Sequence, residues 1–169
     1  GALYHFEVEE ISAQDIDDVA VSSTKIRKAL NEGNIETANR YLGYDFMLTG
    51  KVIKGKGLGK QLGFPTANIQ IKEDYKLIPK QGSYVVSALI HDQRVYGMLN
   101  IGMNPTVNGE KESIEVHFFN FNQDLYNKNI QISLLHRLRD EIKFNSVEAL
   151  KKQLSKDQQT SLNYIKSKL

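Results

Sequence analysis

The run Ser83-Tyr-Val-Val-Ser-Ala-Leu-Ile-His-Asp-Gln-Arg-Val-Tyr-Gly-Met-Leu-Asn-Ile101 decides the architecture. Two stretches rich in β-branched and aromatic residues, 83–90 and 94–101, flank the polar break His91-Asp92-Gln93. So short a break makes a tight hairpin and leaves no room for a crossover helix, so the two strands run antiparallel. Working outward, the same period of two marks strands over 46–53, 68–71, 113–121 and 129–136. A second tight turn is read at Asn108-Gly109-Glu110, where the Asn-Gly pair favours positive φ. Six strands joined by short polar connections close most economically into a small antiparallel barrel, which removes the exposed edges.

Helical spacing brackets this β region. On the N-terminal side 3–8 reads as a strand and Asp15 to Asp18 as an acidic loop. A helix then follows Ser22, with Ile26, Ala29 and Leu30 on one face and Gly33 as its stop. Ile35, Ala38, Tyr41 and Leu42 give a second short helix closed by Gly43. On the C-terminal side Ser146 is an N-cap, with Glu148 near the positive end of the dipole. Ser155 with Gln158 fits a capping box, which predicts a second helix with Leu162, Ile165 and Leu169 as its stripe. The expected fold is therefore mainly β: a six-stranded closed antiparallel barrel with C-terminal helices and a small N-terminal helical appendage. Residues 1–43 form the appendage, 44–136 the barrel and 146–169 the C-terminal helices.

At 169 residues, 40% hydrophobic and 25% charged, the chain has a globular composition with enough apolar surface for a core. It contains no cysteine, which excludes disulfides, zinc thiolates and a thiol nucleophile and is compatible with the cytoplasm. No apolar run is long enough to span a bilayer, and no signal peptide is visible. A net charge of +2 does not point to nucleic acid.

The basic charge is nonetheless local. Gly50-Lys-Val-Ile-Lys-Gly-Lys-Gly-Leu-Gly-Lys-Gln-Leu-Gly-Phe-Pro-Thr-Ala-Asn68 carries five of the twelve glycines, interleaved with Lys51, Lys54, Lys56 and Lys60. Glycines let a backbone approach an anion closely, and successive amide N–H groups can cradle a polyphosphate. The spacing is neither that of a Walker loop nor G-x-G-x-x-G, so on pattern alone a plain glycine-rich hairpin is an equal reading. Farther on, 113–121 alternates, placing Ile114, Val116 and Phe118 on one face and Glu115, His117 and Phe119 on the other. By pattern alone, Glu115 is a solvent-facing strand residue and Thr66 a turn hydroxyl.

Gly63-Phe-Pro-Thr-Ala-Asn68, preceded by Gly57-x-Gly59-x-x-x-Gly63, resembles the signature of the riboflavin kinase family. The resemblance covers roughly 44–169. It implies a six-stranded barrel, transfer of phosphate from ATP to riboflavin to give FMN, and a requirement for Mg2+. Carried over, Gly55, Lys56, Gly57, Gly59, Lys60, Gly63 and Pro65 would shape the nucleotide loop, while Thr66 and Asn68 would hold magnesium, a hard cation that prefers oxygen. Glu115, in a Glu-x-His strand, would be the general base. A carboxylate is a weak base towards an alcohol, so it would orient the hydroxyl and take the proton late. Leu135-His-Arg-Leu-Arg-Asp-Glu-Ile-Lys-Phe144 resembles the family's mobile segment after the last strand, by which Arg139 would help close the site near the nucleotide or flavin and Phe144 would pack on the helices or the ring. Asn104, in a loop Asn104-Pro105-Thr106 before the base strand, would border the flavin. Where the family often has an acid, this chain has Asn120.

Val21-Ser-Ser-Thr-Lys-Ile-Arg27 resembles the end of the adenylyltransferase domain in bacterial bifunctional FAD synthetases. That implies that 1–43 is a remnant of that domain, the partner that the kinase lacks here. The four histidines, His5, His91, His117 and His136, do not form the His-x-Gly-His motif that FMN adenylyl transfer requires. That second activity is therefore expected only in a full-length protein. The competing reading is a noncatalytic barrel that binds flavin or an oligonucleotide, with Tyr84, Tyr96, Phe118 and Phe119 as the stacking surface. The expected partners are riboflavin and ATP, with no nucleic acid and no membrane.

Overall fold

The computed structural model describes residues 15–16, 19–55, 57–106 and 109–169. The strand read over 3–8, Lys56 and the tip residue Asn108 lie outside them. The acidic stretch holds β1 (Asp15–Ile16) and β2 (Val19–Ala20), which pair with each other, so it is a minimal hairpin rather than a loop. Helix α1 (Ser23–Glu32) starts on Ser22, whose hydroxyl accepts from the Lys25 N–H at 3.3 Å. It ends on Gly33 at φ 82°, and α2 (Ile35–Leu42) ends on Gly43 at φ 77°, both as read from the sequence.

Six strands then close the barrel: β3 (Met47–Ile53), β4 (Ala67–Gln70), β5 (Gly82–Ile90), β6 (Gln93–Thr106), β7 (Gly109–Phe118) and β8 (Asn129–Arg139). Their order round the barrel is β3-β4-β7-β6-β5-β8, all antiparallel, with β8 returning to β3. The β5–β6 turn is two residues long, and both His91 (φ 48°) and Asp92 (φ 62°) take positive φ without a glycine. Two-residue hairpins need such angles because they match the right-handed strand twist. The β6 and β7 strands pair as expected, with Thr106 opposite Gly109, but Gly109 and Glu110 lie on β7 and not in the turn where they were expected.

Four expectations are corrected. Asn104 lies on β6, not in a loop. The β6–β7 ribbon extends to Thr106, and Pro105 pairs opposite Glu110. Arg139 lies on β8, three residues beyond the expected end, because β8 stays paired to β5 through two register shifts. The C-terminal helices are one, α4 (Val147–Lys168). Ser155 does not cap a new helix, since its hydroxyl bonds back to the Lys151 carbonyl at 3.1 Å inside the same one. Leu169, expected in the stripe, is exposed.

The barrel interior is packed with apolar side chains. Leu48, Val52, Ile69, Tyr84, Val86, Leu99, Ile101, Ile114, Val116, Ile132 and Leu134 form one cluster. Leu30, Ile35 and Ala38 of α1 and α2 belong to the same cluster, so the two helices cap the barrel rather than hang from it. Asn39 stitches them on: its amide donates to the Leu134 carbonyl, and its oxygen accepts from the Phe46 N–H, both at 2.8 Å. A second cluster lies outside the barrel wall, where Val85, Met98 and Phe119 meet Leu62, Phe64 and Ile165. Strand alternation thus gives the wall two buried faces, one inward and one under α4.

The barrel's rim carries an ion network. Asp140 accepts from Arg137 Nη2 at 2.8 Å and lies 3.0 Å from Lys80 Nζ, which holds its carboxyl down at about 2, from 3.8. A depressed carboxyl stabilises the fold above its unfolded pKa and loses that effect as pH falls through the folded value. The Asp140 contribution is therefore complete above about pH 4 and lost by about pH 2. In low salt, wild type is expected to be more stable than Asp140→Asn at pH 5, and acid-unfolding curves should converge towards pH 2. A constant gap across that range would show that the network is not coupled to folding.

Candidate active site

One row of residues crosses five strands on the outer face of the barrel. Asn68 on β4 stands opposite Glu115 on β7, and Glu115 opposite Asn100 on β6. Asn100 stands opposite Ser83 on β5, and Ser83 opposite Arg139 on β8. All five are polar. The bulges in β8 matter here. The first sends Arg137 to the barrel end, where its Nε donates to the Tyr84 hydroxyl at 3.3 Å. The second returns Arg139 to the row.

Above this row is a cavity of about 320 Å3. Its floor includes Glu115, Asn100 and Ser83, and its walls are apolar: Leu62 and Phe64 on one side, Leu150 and Leu154 of α4 on the other. Thr66, Gly57, Gly59, Asn104, Arg139 and Phe144, all expected at the site, also line it. A second cavity of about 470 Å3 lies beyond Thr66 and is lined by Lys54, Gly55, Lys60 and Pro65, with Asp124 and Tyr126 opposite. Thr66 borders both cavities. Its hydroxyl donates to Glu115 Oε2 at 3.0 Å, so the expected base and the expected metal ligand are already in contact.

The glycine segment is less irregular than its composition suggests. It contains a helical turn, α3 (Leu58–Gln61), which starts after Gly57 at φ 73°. Gly55 is required by close approach: a Cβ there would stand 2.0 Å from the Asn68 amide nitrogen. Asn68 itself borders a third cavity, together with Asn104, and not the two that meet at Thr66. Gly63, at φ 85°, lines none of the three. His117 bonds to the Pro65 carbonyl through Nδ1 at 2.8 Å and packs edge-on against Phe64 and Phe119, a structural role that fixes the approach to Thr66.

Arg139 is clamped. Its Nε and Nη2 donate to Asp157 Oδ2 on α4 at 2.9 and 2.8 Å, and Gln153 donates to Asp157 Oδ1 at 2.7 Å. The Arg139 and Asp157 side chains are only 15% and 6% exposed, so this pair is desolvated. Phe144 lies against the guanidinium, 5.9 Å from ring centre to Cζ. Burial pushes the Glu141 carboxyl up, against a hydrogen bond from Asn100 and the charge of Arg139, and Glu115 raises it further. Asp157, Asn100, Ser83 and Glu141 were not singled out in the sequence. Glu141 lies within the Leu135 to Phe144 segment but was given no role there, while strand register gathers Ser83 and Asn100 and the packing of α4 brings in Asp157.

Among the described residues no cluster of three or more His, Asp or Glu side chains offers a ready metal cage. The side-chain oxygens in contact at the junction are those of Thr66 and Glu115, with Asn68 opposite Glu115 in register but bordering the third cavity. Such a sparse set of hard donors fits a small cation that keeps waters and takes its remaining ligands from phosphates. The four aromatics considered for base stacking are not displayed: Tyr84, Phe118 and Phe119 are buried and Tyr96 is half-buried. Among the described residues no helix is long and apolar enough to cross a membrane.

Residues 42–165 match the Flavokinase family, described as riboflavin kinase. The bifunctional riboflavin kinase/FMN adenylyltransferase of Listeria monocytogenes is 43% identical over 155 residues, which are 91% of this chain and 49% of that protein. Its namesake from Haemophilus influenzae is 36% identical over 165 residues, 97% of this chain and 53% of that protein. A crystal structure from Streptococcus pneumoniae, described as a macrolide-efflux protein, superposes with a TM-score of 0.82 at 35% identity over 90% of this chain and 50% of its own. The chain spans about half the length of the curated relatives it matches.

Proposed function

The chain belongs to the riboflavin kinase family, and from that premise we propose that it transfers the γ-phosphoryl group of ATP to the 5′-hydroxyl of riboflavin, giving FMN and ADP. The observation that carries this reading is the meeting of two unlike cavities at Thr66. The apolar-walled one suits a flat isoalloxazine ring, and its polar floor suits the ribityl chain. The other, with Lys54, Lys60 and close-approaching glycine backbone, suits a polyphosphate. A phosphoryl group can pass between them only at the junction, where Glu115 and Thr66 are in contact.

Phosphoryl transfer is mostly positioning and charge neutralisation. Glu115 accepts a hydrogen bond from the terminal hydroxyl, aims its oxygen at the γ-phosphorus and receives the proton as the P–O bond forms. The bond to the β-phosphate oxygen breaks and ADP leaves. Thr66 and Asn68 would hold Mg2+, which supplies charge neutralisation to the phosphates when bound. The Thr66 hydroxyl reaches the junction. Asn68, set one cavity aside and packed over Gly55, would act from behind it. Lys54 and Lys60 hold the phosphate tail, and Phe64, Leu150 and Leu154 exclude water from the acceptor. Arg139, drawn towards α4 by Asp157, closes the acceptor cavity at its far end.

The reading is confined to the kinase reaction. The names of the relatives also include FMN adenylyl transfer, but the histidines of this chain do not form the motif associated with that step. Incubation with riboflavin, ATP and Mg2+ is therefore expected to accumulate FMN and not FAD, as resolved by chromatography of the flavins. Absence of FMN would refute the kinase reading, and FAD from this chain alone would refute the limit placed on it.

A further inference from the structure

Three carboxylates line the acceptor cavity: Glu115, which the mechanism above uses, Asp157, which is paired with Arg139, and Glu141, just beyond β8 on the rim. Glu141 is an exposed residue, but its carboxylate turns back over the sheet at Gly102. Its Oε1 and the Asn100 amide nitrogen share the space above Gly102. The Asn100 amide is oriented in turn, because its Oδ1 accepts the Ser83 hydroxyl at 3.1 Å, which turns the N–H2 end towards Glu141. Glu141 Oε1 also occupies space that only a glycine leaves open: a Cβ on Gly102 would stand 2.7 Å from it and 3.1 Å from Asn100 Nδ2. Ser83, Asn100 and Gly102 thus form a seat for one carboxylate, built from two strands.

A carboxylate only accepts hydrogen bonds. The Asn100 amide is the neighbouring donor, and Glu141 shares the cavity with Glu115 and with an Arg139–Asp157 pair whose charges already satisfy each other. Two acids facing one partly desolvated space repel unless donors lie between them. A chain of adjacent hydroxyls is such a set of donors. We propose that Glu141, seated by Asn100 and Gly102, reads the polyol chain of the acceptor by accepting hydrogen bonds from its secondary hydroxyls, and so determines specificity for a polyhydroxylated flavin. The proposal rests on the kinase reading and deepens it. Glu115 serves the reacting hydroxyl, and Glu141 serves those that do not react.

The test compares two acceptors: riboflavin, and a flavin whose ring nitrogen carries a 5-hydroxypentyl chain with the terminal hydroxyl only. Wild type is expected to prefer riboflavin by about 100-fold or more in kcat/KM, because seats built for hydroxyls reject analogues that leave them unpaired. Glu141→Ala should cut that preference by about tenfold or more. Gly102→Ala tests the same seat without removing the acid. Gly102 has no left-handed φ, so alanine is tolerated by the backbone, and its methyl displaces only the end of a flexible side chain. It should reduce the preference in the same direction. A preference unchanged in both variants, even with lower overall activity, overturns the role of Glu141. So does a wild type with no preference between the two flavins, which leaves the kinase reading standing. A wild type that phosphorylates neither flavin overturns the kinase reading itself.

Discussion

Replacing Glu115 by glutamine is expected to lower riboflavin turnover by about 10²–10⁴-fold, the range that a positioned acid–base group contributes, while ATP affinity stays within a few-fold of wild type. Glutamine is nearly isosteric and its carbonyl oxygen can still accept the Thr66 hydroxyl, so the 3.0 Å contact survives. The row neighbours Asn68 and Asn100 pair through backbone and are untouched. What is lost is a charge that orients the attacking hydroxyl and a place for its proton. Steady-state kcat, with the nucleotide dissociation constant measured separately, separates these effects. Turnover within a factor of a few would remove Glu115 from the chemistry. A parallel loss of ATP binding would show instead that it acts on the metal–nucleotide side.

The second large effect is expected at Asp157, which the sequence hides in the middle of α4. Asp157→Ala leaves the Arg139 guanidinium buried without its counter-ion. Breaking a desolvated pair from one side costs about 3–5 kcal/mol. For a chain of this size that is roughly a 10 °C fall in Tm. Activity should fall as well, since α4 carries Leu150 and Leu154 of the acceptor cavity and Asp157 ties that helix to β8. Replacing both partners with apolar residues, Arg139→Met with Asp157→Leu, should recover much of the stability but not the turnover, because the cavity loses its far wall. Thermal unfolding of the single and double variants measures the first part and the FMN assay the second. A single-variant loss below about 1 kcal/mol would place the pair among solvated surface bridges instead.

The barrel was legible because its strands alternate and its breaks are short. The break at His91-Asp92 read as a hairpin even without glycine, and Gly33 and Gly43 stop their helices where expected. Glu115 and Thr66 were found through a sequence signature, and the structure puts them in contact. The rest of the site was hidden for a physical reason. Asn100 and Ser83 look like ordinary outward strand residues, and Arg139 like the end of a loop. Only the register, including two bulges in β8, sets them in one row. Asp157 was missed because a charged residue in a helix is usually solvated, and its burial depends on where α4 crosses the barrel. The false break in α4 has a related origin. Ser155 has the right spacing for a cap, but a serine hydroxyl inside a helix can satisfy itself on the preceding turn.

The transverse row also orders events during folding. Its middle members, Ser83, Asn100 and Glu115, sit on β5, β6 and β7, a meander of consecutive hairpins that needs only short loops to close. Its ends come from far away in the chain: Asn68 reaches Glu115 from β4, and Arg139 reaches Ser83 from β8. Non-local pairings carry the larger loop-closure entropy and form late in topologies of this kind. A nascent or refolding chain can therefore hold its glutamate in place on the meander before anything exists for that glutamate to act on. In refolding, regain of turnover is thus expected to lag the appearance of β structure.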